Sequence, residues 1–261
     1  GPGRTAATRR VALPCAGMSP PRRALSRLVQ AVLRGAGYEL RRYRPPVGDA
    51  RDLPPLRAEF AGLTNAGLAL QSLLEQDGIE TVLDIGCGAG EHARLMLAKG
   101  KRVTAVDYGR SIYFAERPAG LDAVVGDFNT MRFETPFDAV WASHVLEHQL
   151  DPHGFLVRCH AVLRGGGCLA VTLPPHKDEI GGGHVSLWNG GLLLYRLVLA
   201  GFDCREARVA TYGYNVSVLV AKRSVKLPAL AYDAGDVDRL AEFLPAGLGE
   251  GFEGRIVALG W

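Results

Sequence analysis

The chain has 261 residues, 48% hydrophobic and 22% charged, a balance ordinary for a globular protein with one sizeable domain and its appendages. Five scattered cysteines without a C-x-x-C pair exclude a disulfide framework and a cysteine-based structural zinc site, and they suit a reducing cytoplasm. The formal charge of +3 is uneven: residues 1–50 hold ten Arg against Glu39 and Asp49, a net +8, which leaves −5 for the remainder.

Residues 1–17 read as a cleavage scar or disordered leader. Over Pro20–Arg34, Leu25, Leu28, Val29, Val32 and Leu33 recur at helical spacing beside Arg22, Arg23, Arg27 and Arg34, which predicts an amphipathic helix with a basic face. Such a helix suits an anionic membrane or partner surface, or a lid over a site. A Pro-rich linker and one or two helices complete an extension over 18–78. The longest apolar run, from Gly190, is too short to span a bilayer and contains Arg196.

Past Gly78, short apolar strands alternate with helical stretches, the signature of a parallel sheet covered on both faces. Strands are expected at 80–86, 102–107, 122–127, 137–143 and 167–173, with helices after Gly90, Gly109, Ser143 and Trp188. Two β-rich runs joined at Gly213 predict an antiparallel edge hairpin. The expected fold class is therefore α/β: a Rossmann-like, seven-stranded, mostly parallel sheet with a C-terminal hairpin, occupying 79–222. Residues 223–261 form a C-terminal extension, helical around Asp236–Phe243.

The stretch "VLDIGCGAGEHARLML" drives an apolar strand into Gly86, Gly88 and Gly90 and then into a helix, which lets a ligand lie against bare backbone. Asp107 closes the next strand, 21 residues beyond Gly86, where an acid can accept hydrogen bonds from a ribose. Nicotinamide enzymes share that much. Here, however, the loop is one residue shorter than G-x-G-x-x-G, and Asp84 precedes it, where a carboxylate would repel pyrophosphate but suit a sulfonium. Asp127 closes the third strand, near where an adenine amino group would lie.

With "DIGCGAG", "GDF", "FDAVWASHVLEH" and "VLRGGGCLAVTLP", residues 79–222 resemble the class I S-adenosylmethionine-dependent methyltransferases. The resemblance implies that Gly86, Gly88 and Gly90 wrap the methionine part of the cofactor, that Asp107 binds its ribose, and that Asp127 and Phe128 contact its adenine. Asp84, Cys87, Tyr108 and Ser143 join the implied cofactor contacts.

The spacing H-x-x-E-H at His144, Glu147 and His148 also occurs in one class of zinc peptidases, but a buried strand immediately precedes it here, where those enzymes have a long helix. Three readings remain. Glu147 and His148 open a helix and are structural; His144 is a general base for a hydroxyl; or His144, Glu147, His148 and the later His184 hold one divalent ion. The third resembles ubiquinone-biosynthesis and small-RNA 3′-end O-methyltransferases, which carry E-x-x-E-H after the fourth strand. His144 replaces the first Glu, and an imidazole-rich set suits zinc, iron, cobalt or manganese better than magnesium. His144 and His184 are thus the catalytic candidates. His176 lies beside the glycine-dense "EIGGGH", and His92, His153 and His160 are expected to be structural.

The expected function is methylation of a sugar hydroxyl on a surface glycan or nucleotide sugar, since residues 181–222 and 251–261 look similar to bacterial glycan-associated methyltransferases. A natural-product or quinone-type hydroxyl is the alternative, and a non-catalytic cofactor-binding subunit the alternative of another class. Nucleic acid is not expected as an acceptor, because the chain past residue 50 is net acidic and shows no RNA-binding module.

Overall fold

The computed structural model describes residues 20–36, 45–117, 121–179 and 181–261. The leader at 1–17, the start of the linker and the side chains of Arg22, Arg23 and Arg27 lie outside the described residues. The chain divides into two units, Gly1–Pro45 and Pro46–Trp261. In the first, α1 (Pro20–Gly35) forms where helical periodicity predicts it.

The second unit carries an eight-stranded sheet. Its strands are β1 (Thr81–Ile85), β2 (Arg102–Asp107), β3 (Ala123–Val125), β4 (Phe137–Ser143), β5 (Leu163–Leu173), β6 (Arg208–Tyr212), β7 (Asn215–Ala221) and β8 (Ala258–Leu259). Their order is β3-β2-β1-β4-β5-β7-β6-β8. The first five run parallel, and β7, β6 and β8 are antiparallel. Seven strands match the sequence reading. The eighth is a correction: two residues of the tail pair with β6 at Val209 and Ala210, a contact too short to leave an alternating pattern.

The β1–β4–β5 centre is apolar on both faces, which is why its sequence reads as unbroken hydrophobic runs. Two buried clusters cover it. One holds Leu83, Val140, Leu169 and Val171 against α6 (Pro152–Val162) and α7 (Gly190–Leu199), and it reaches Leu240, Leu244 and Ile256 of the tail. The other packs Phe60 from α2 (Ala58–Ala61) and Leu70 and Leu73 from α3 (Gly67–Leu74) against Val82 and the fully buried Trp141. Residues 46–78, grouped in the sequence with the basic helix, thus pack on the sheet, because α3 is buried on nearly every side. Three short helices complete the unit: α4 (Glu91–Ala98), α5 (Ile112–Ala115) and α8 (Asp236–Arg239).

Asp138 ties the amino edge of the sheet together. Its Oδ2 accepts from Glu80 N, Thr81 N and Thr81 Oγ1 at 3.0, 2.8 and 2.9 Å, and its Oδ1 accepts from Arg164. Despite partial burial, these bonds hold its carboxyl well below the usual range. The carboxyl edge carries the functional candidates.

Candidate functional site

At the carboxyl end of β1 the chain turns through Gly86, with φ of +72°. A Cβ there would lie 2.4 Å from Val145 Cγ2, so only glycine lets this turn pass beneath the segment after β4. Asp107 draws the loop toward β2: its Oδ2 accepts from Gly88 N at 2.9 Å and its Oδ1 from Gly109 N at 2.8 Å. An ionised carboxylate has about four lone-pair sites, so both oxygens keep capacity for a ligand's hydroxyls.

Asp84 differs. It is 2% exposed and its Oδ2 has no hydrogen-bond partner. Burial, and then the Asp107 charge, raise its pKa to about 7. A buried acid short of a partner, beside a second acid, calls for positive charge. The donor set therefore fits a sulfonium nucleoside and disfavours pyrophosphate. Cys87 sits within the loop, its thiol raised to about 12 mainly by burial, so it is an inert wall. Gly90 caps α4.

Asp127 is half-buried and accepts from Asn129 N, and its carboxylate raises the pKa of the exposed Tyr108 hydroxyl. Ser143 ends β4 opposite Thr172. The Phe128 ring is 4% exposed and packs edge-on against Phe155, with centroids 5.3 Å apart, in the core, so its backbone is the part left to face a ligand.

The segment after β4 does not begin a long helix. Leu146–His148 is a single 3₁₀ turn, and α6 starts only at Pro152 behind its Asp151 cap. His144 stands at the junction with φ of +55°, a left-handed conformation that costs a non-glycine residue about 1–2 kcal/mol. It is held there by its N–H, which donates to Thr172 O at 2.7 Å. Strain of this kind persists where the surroundings over-determine it, often at functional sites.

Of the four expected metal ligands, Glu147 and His148 on this turn and His184 on the later loop form one group among the described residues; His144 stands beside it, its Nε2 3.1 Å from Asn215 Oδ1. Glu147 is completely buried, and neither carboxylate oxygen has a hydrogen-bond partner. His144 Nδ1 lies 3.3 Å and His148 Nε2 3.9 Å from Glu147 Oε1. Ligand atoms of Glu147, His148 and His184 lie within 4.8 Å of one another, and the His148 and His184 rings meet edge-on at 5.0 Å. His148 Nδ1 is 2.7 Å from the Gly183 carbonyl, which can only accept, so Nδ1 carries a hydrogen and Nε2 faces Glu147. Gly183 has φ of +75°, and a Cβ there would lie 3.1 Å from His148 Nδ1. The glycines of "EIGGGH" therefore serve close approach to the histidines, and Val185 N bonds Glu147 O at 2.9 Å to fix the loop.

Beside this cluster opens a cleft of about 150 Å³ lined by Pro175, Lys177, His184, Trp188 and Tyr214. Lys177 Nζ stands 4.5 Å from the Tyr214 ring centroid, and His144 stacks on the same tyrosine at 6.0 Å. Tyr214 and Asn215, at the hairpin turn, were not legible in the sequence as site residues. The remaining histidines stand apart from the cluster. His92 links Trp141 Nε1 to Asn65 O, His160 packs on Phe202, and His153 and His176 are exposed and outside the cluster.

Comparison with known proteins bears on the domain and the fold. Residues 83–171 match the methyltransferase domain family. A ubiquinone biosynthesis O-methyltransferase of Methylocella silvestris is 42% identical over 100 residues, covering 35% of this chain and 39% of the relative. A Mycobacterium tuberculosis protein named a probable S-adenosylmethionine-dependent methyltransferase is 30% identical over 162 residues, covering 58% of this chain and 59% of the relative. The chain thus spans 39% and 59% of these two relatives, less than two thirds of either. Among solved structures, Burkholderia thailandensis 1,6-didemethyltoxoflavin-N1-methyltransferase shares the fold at a TM-score of 0.51 and 21% identity, covering 82% of this chain and 94% of that one. The matched segment begins in β1 and ends in β5, and it contains the glycine loop, Asp107 and the His144–His148 turn. Residues 83–171 thus carry a methyltransferase domain, and the sheet around them has the Rossmann-like fold of methyltransferases.

Proposed function

We propose that the protein is an O-methyltransferase that uses S-adenosylmethionine to methylate a hydroxyl of a small molecule, with a phenolic, quinone-type acceptor as the leading class. The observation that carries the reading is the pair of buried, unpartnered carboxylates, Asp84 and Glu147, at the ends of the neighbouring strands β1 and β4. The names of the relatives that match over the cofactor half favour a quinone-type acceptor. The sugar hydroxyl rests only on the likeness of 181–222 and 251–261 to glycan-associated enzymes.

S-adenosylmethionine supplies the methyl group as a sulfonium with a good leaving group, so the protein's share is mostly alignment. Asp107 and the loop hold the nucleoside, and the Asp84 charge favours the cation. A hydroxyl acceptor must also lose its proton. Glu147, His148 and His184 would hold one divalent ion, which would lower the acceptor's pKa, with His144 beside them. Two imidazoles and one carboxylate would suit cobalt, zinc, iron or manganese. Tyr214 and Trp188 give the neighbouring cleft an aromatic wall suited to a planar ring.

Calorimetry with S-adenosylmethionine and its demethylated product, on wild type and Asp107→Ala, tests the cofactor reading. Transfer of labelled methyl to catechol-type and sugar acceptors, with chelator and then with added Mn²⁺ or Co²⁺, tests the rest. Binding abolished by the variant together with metal-dependent transfer to a catechol is expected. Binding without transfer to any hydroxyl would favour a non-catalytic partner subunit, and no binding would end both readings.

A further inference from the structure

We infer that the cleft between the loop leading from β3 into β4 and the end of α6 is a second ligand site, built for the phosphate ester of a small molecule with a flat ring. None of its walls belongs to the glycine loop or to the histidine cluster, so the inference does not rest on the proposed function.

The cleft holds about 690 Å³, within the usual range of small-molecule sites, about 300–1,000 Å³. Its walls include Arg132, Phe133, Glu134 and Thr135 from the loop, Arg158 from α6 and Arg164 from the start of β5. It opens at the amino end of β4, since the loop runs directly into Phe137, whereas His144 follows the other end of that strand. The three arginines differ. Arg164 is structural: it donates to Asp138, to Gly165 O at 3.1 Å and to Gly78 O at 3.0 Å. Arg158 is half-buried, its Nε donates to Phe128 O at 2.6 Å, and its guanidinium lies 5.4 Å from the centroid of the Phe128 ring. That bond fixes the fork and leaves both Nη groups without a protein acceptor among the described residues. Arg132 is exposed and has neither a hydrogen bond nor an ion pair among the described residues.

Two unpaired guanidiniums therefore line one cleft, and the only acid among its walls, Glu134, pairs with neither. The end of α6 accounts for one positive side chain nearby, because its partial negative charge is about half a unit. It does not account for two. A planar fork with free donors grips an oxyanion bidentately, and a doubly charged phosphate is the group that satisfies two such forks. Thr135 adds a hydroxyl that can donate. The ring of Phe133 is half-buried, tilted against Phe128 with centroids 6.2 Å apart, and forms an aromatic wall beside the arginines. Aromatic and guanidinium faces together receive a flat ring. Inorganic phosphate alone would leave that wall and most of the volume unused.

Calorimetry on the full chain in EDTA, with phenyl phosphate and inorganic phosphate as probes, tests the site. One phenyl phosphate per chain is expected, bound more tightly than inorganic phosphate and less tightly as NaCl is raised. Arg132→Ala removes a charged donor from an exposed loop and should weaken binding at least about tenfold. Glu134→Gln removes the competing charge and should strengthen it. Arg158→Ala should also cost at least about tenfold, and if that variant does not fold the two loop variants decide. No binding of phenyl phosphate, equal affinity for inorganic phosphate, or an affinity unmoved by Arg132→Ala or by Glu134→Gln overturns the inference. S-adenosylmethionine affinity in Arg132→Ala should equal that of wild type; its loss together with phenyl phosphate binding would place both ligands in one crevice and overturn the inference as well.

Discussion

Glu147→Gln is expected to destroy a stabilisation that only a metal ion supplies, while making the metal-free protein no weaker. In wild type the carboxylate is fully buried with both oxygens unpartnered, and its nearest polar neighbours are the histidine nitrogens at 3.3 and 3.9 Å. A buried polar group left without a partner costs about 1–3 kcal/mol. Exchanging the charged group for a neutral amide of the same shape should therefore leave the chelator-treated protein equal to wild type or more stable by about that amount. Saturating wild type with Co²⁺ or Mn²⁺ at a hundred times its Kd stabilises the folded state by about 2.7 kcal/mol. At about 2–4 °C per kcal/mol for a unit of this size, that is a rise of about 5–10 °C in Tm. Differential scanning fluorimetry on both proteins, in EDTA and across a metal titration, measures the effect. The reasoning fails if wild type shows no metal-dependent rise, if Glu147→Gln shows the same rise, or if the variant in EDTA melts several degrees below wild type.

Other outcomes follow from the same site and from the core beneath it. Because the Asp84 carboxyl is raised to about 7, affinity for the sulfonium should fall as pH drops below 7, by up to about tenfold per pH unit, while the neutral thioether product changes less. Calorimetry at pH 6 and 8 on wild type and Asp84→Asn checks this, and the variant should show no difference between the two ligands' pH profiles. Gly183→Ala would place a Cβ 3.1 Å from His148 Nδ1 on a left-handed backbone, and it should weaken Co²⁺ binding at least about tenfold with little loss of cofactor binding. Burial holds the pKa of His92 below its ordinary value, so the unfolded chain takes up a proton first as pH falls below about 6.5. The stability this residue contributes is complete above that pH and is lost as pH falls toward the folded pKa, so Tm should decline on acidification. His92→Gln, which can still accept from Trp141 Nε1 and donate to Asn65 O, should flatten that decline.

The sheet was legible because its information is local. Apolar runs of four to seven residues, punctuated by glycine and closed by Asp84–Gly86, Asp107 and Asp127, carry the strand positions, and the two β-rich runs around Gly213 carry the hairpin. The tail strand at 258–259 was hidden because a two-residue bridge leaves no period. The place of the Phe128 ring was hidden for a related reason: its neighbours in sequence say nothing of Phe133 and Phe155, which pack against it in space. Asn215 gave no signal at all. Its place beside His144 depends on register, with Ser143 opposite Thr172 across the parallel pair and Thr172 opposite Ser217 across the antiparallel one. Asn215, two residues before Ser217, therefore shares its face and lies nearer the edge where His144 emerges.

That register also explains why the cluster is built around a carboxylate that the rest of the protein leaves unsatisfied. Among the described residues, five buried side-chain polar atoms lack a partner, and three of them belong to Asp84 and Glu147. Elsewhere the fold pairs its buried polar groups with care: Thr172, Ser217 and Tyr212 form a closed hydroxyl chain ending on Ala69 N, and Asp236 gathers two backbone N–H groups and Arg239. A chain that satisfies its structural acids so fully, and leaves two open at the ends of adjacent strands, concentrates its unmet electrostatic demand at the carboxyl edge of the sheet. One acid faces the glycine loop and the other faces the histidines. A cationic methyl donor and a hydroxyl awaiting deprotonation have complementary needs, so filling either hole alone leaves the other group buried and unpaired. Glu147→Gln should accordingly lower the transfer rate far more than it lowers affinity for the cofactor, whereas Asp84→Asn should act chiefly on affinity. Steady-state rates and calorimetric affinities for both variants, showing the two effects merged in either one, would refute the division of labour between β1 and β4.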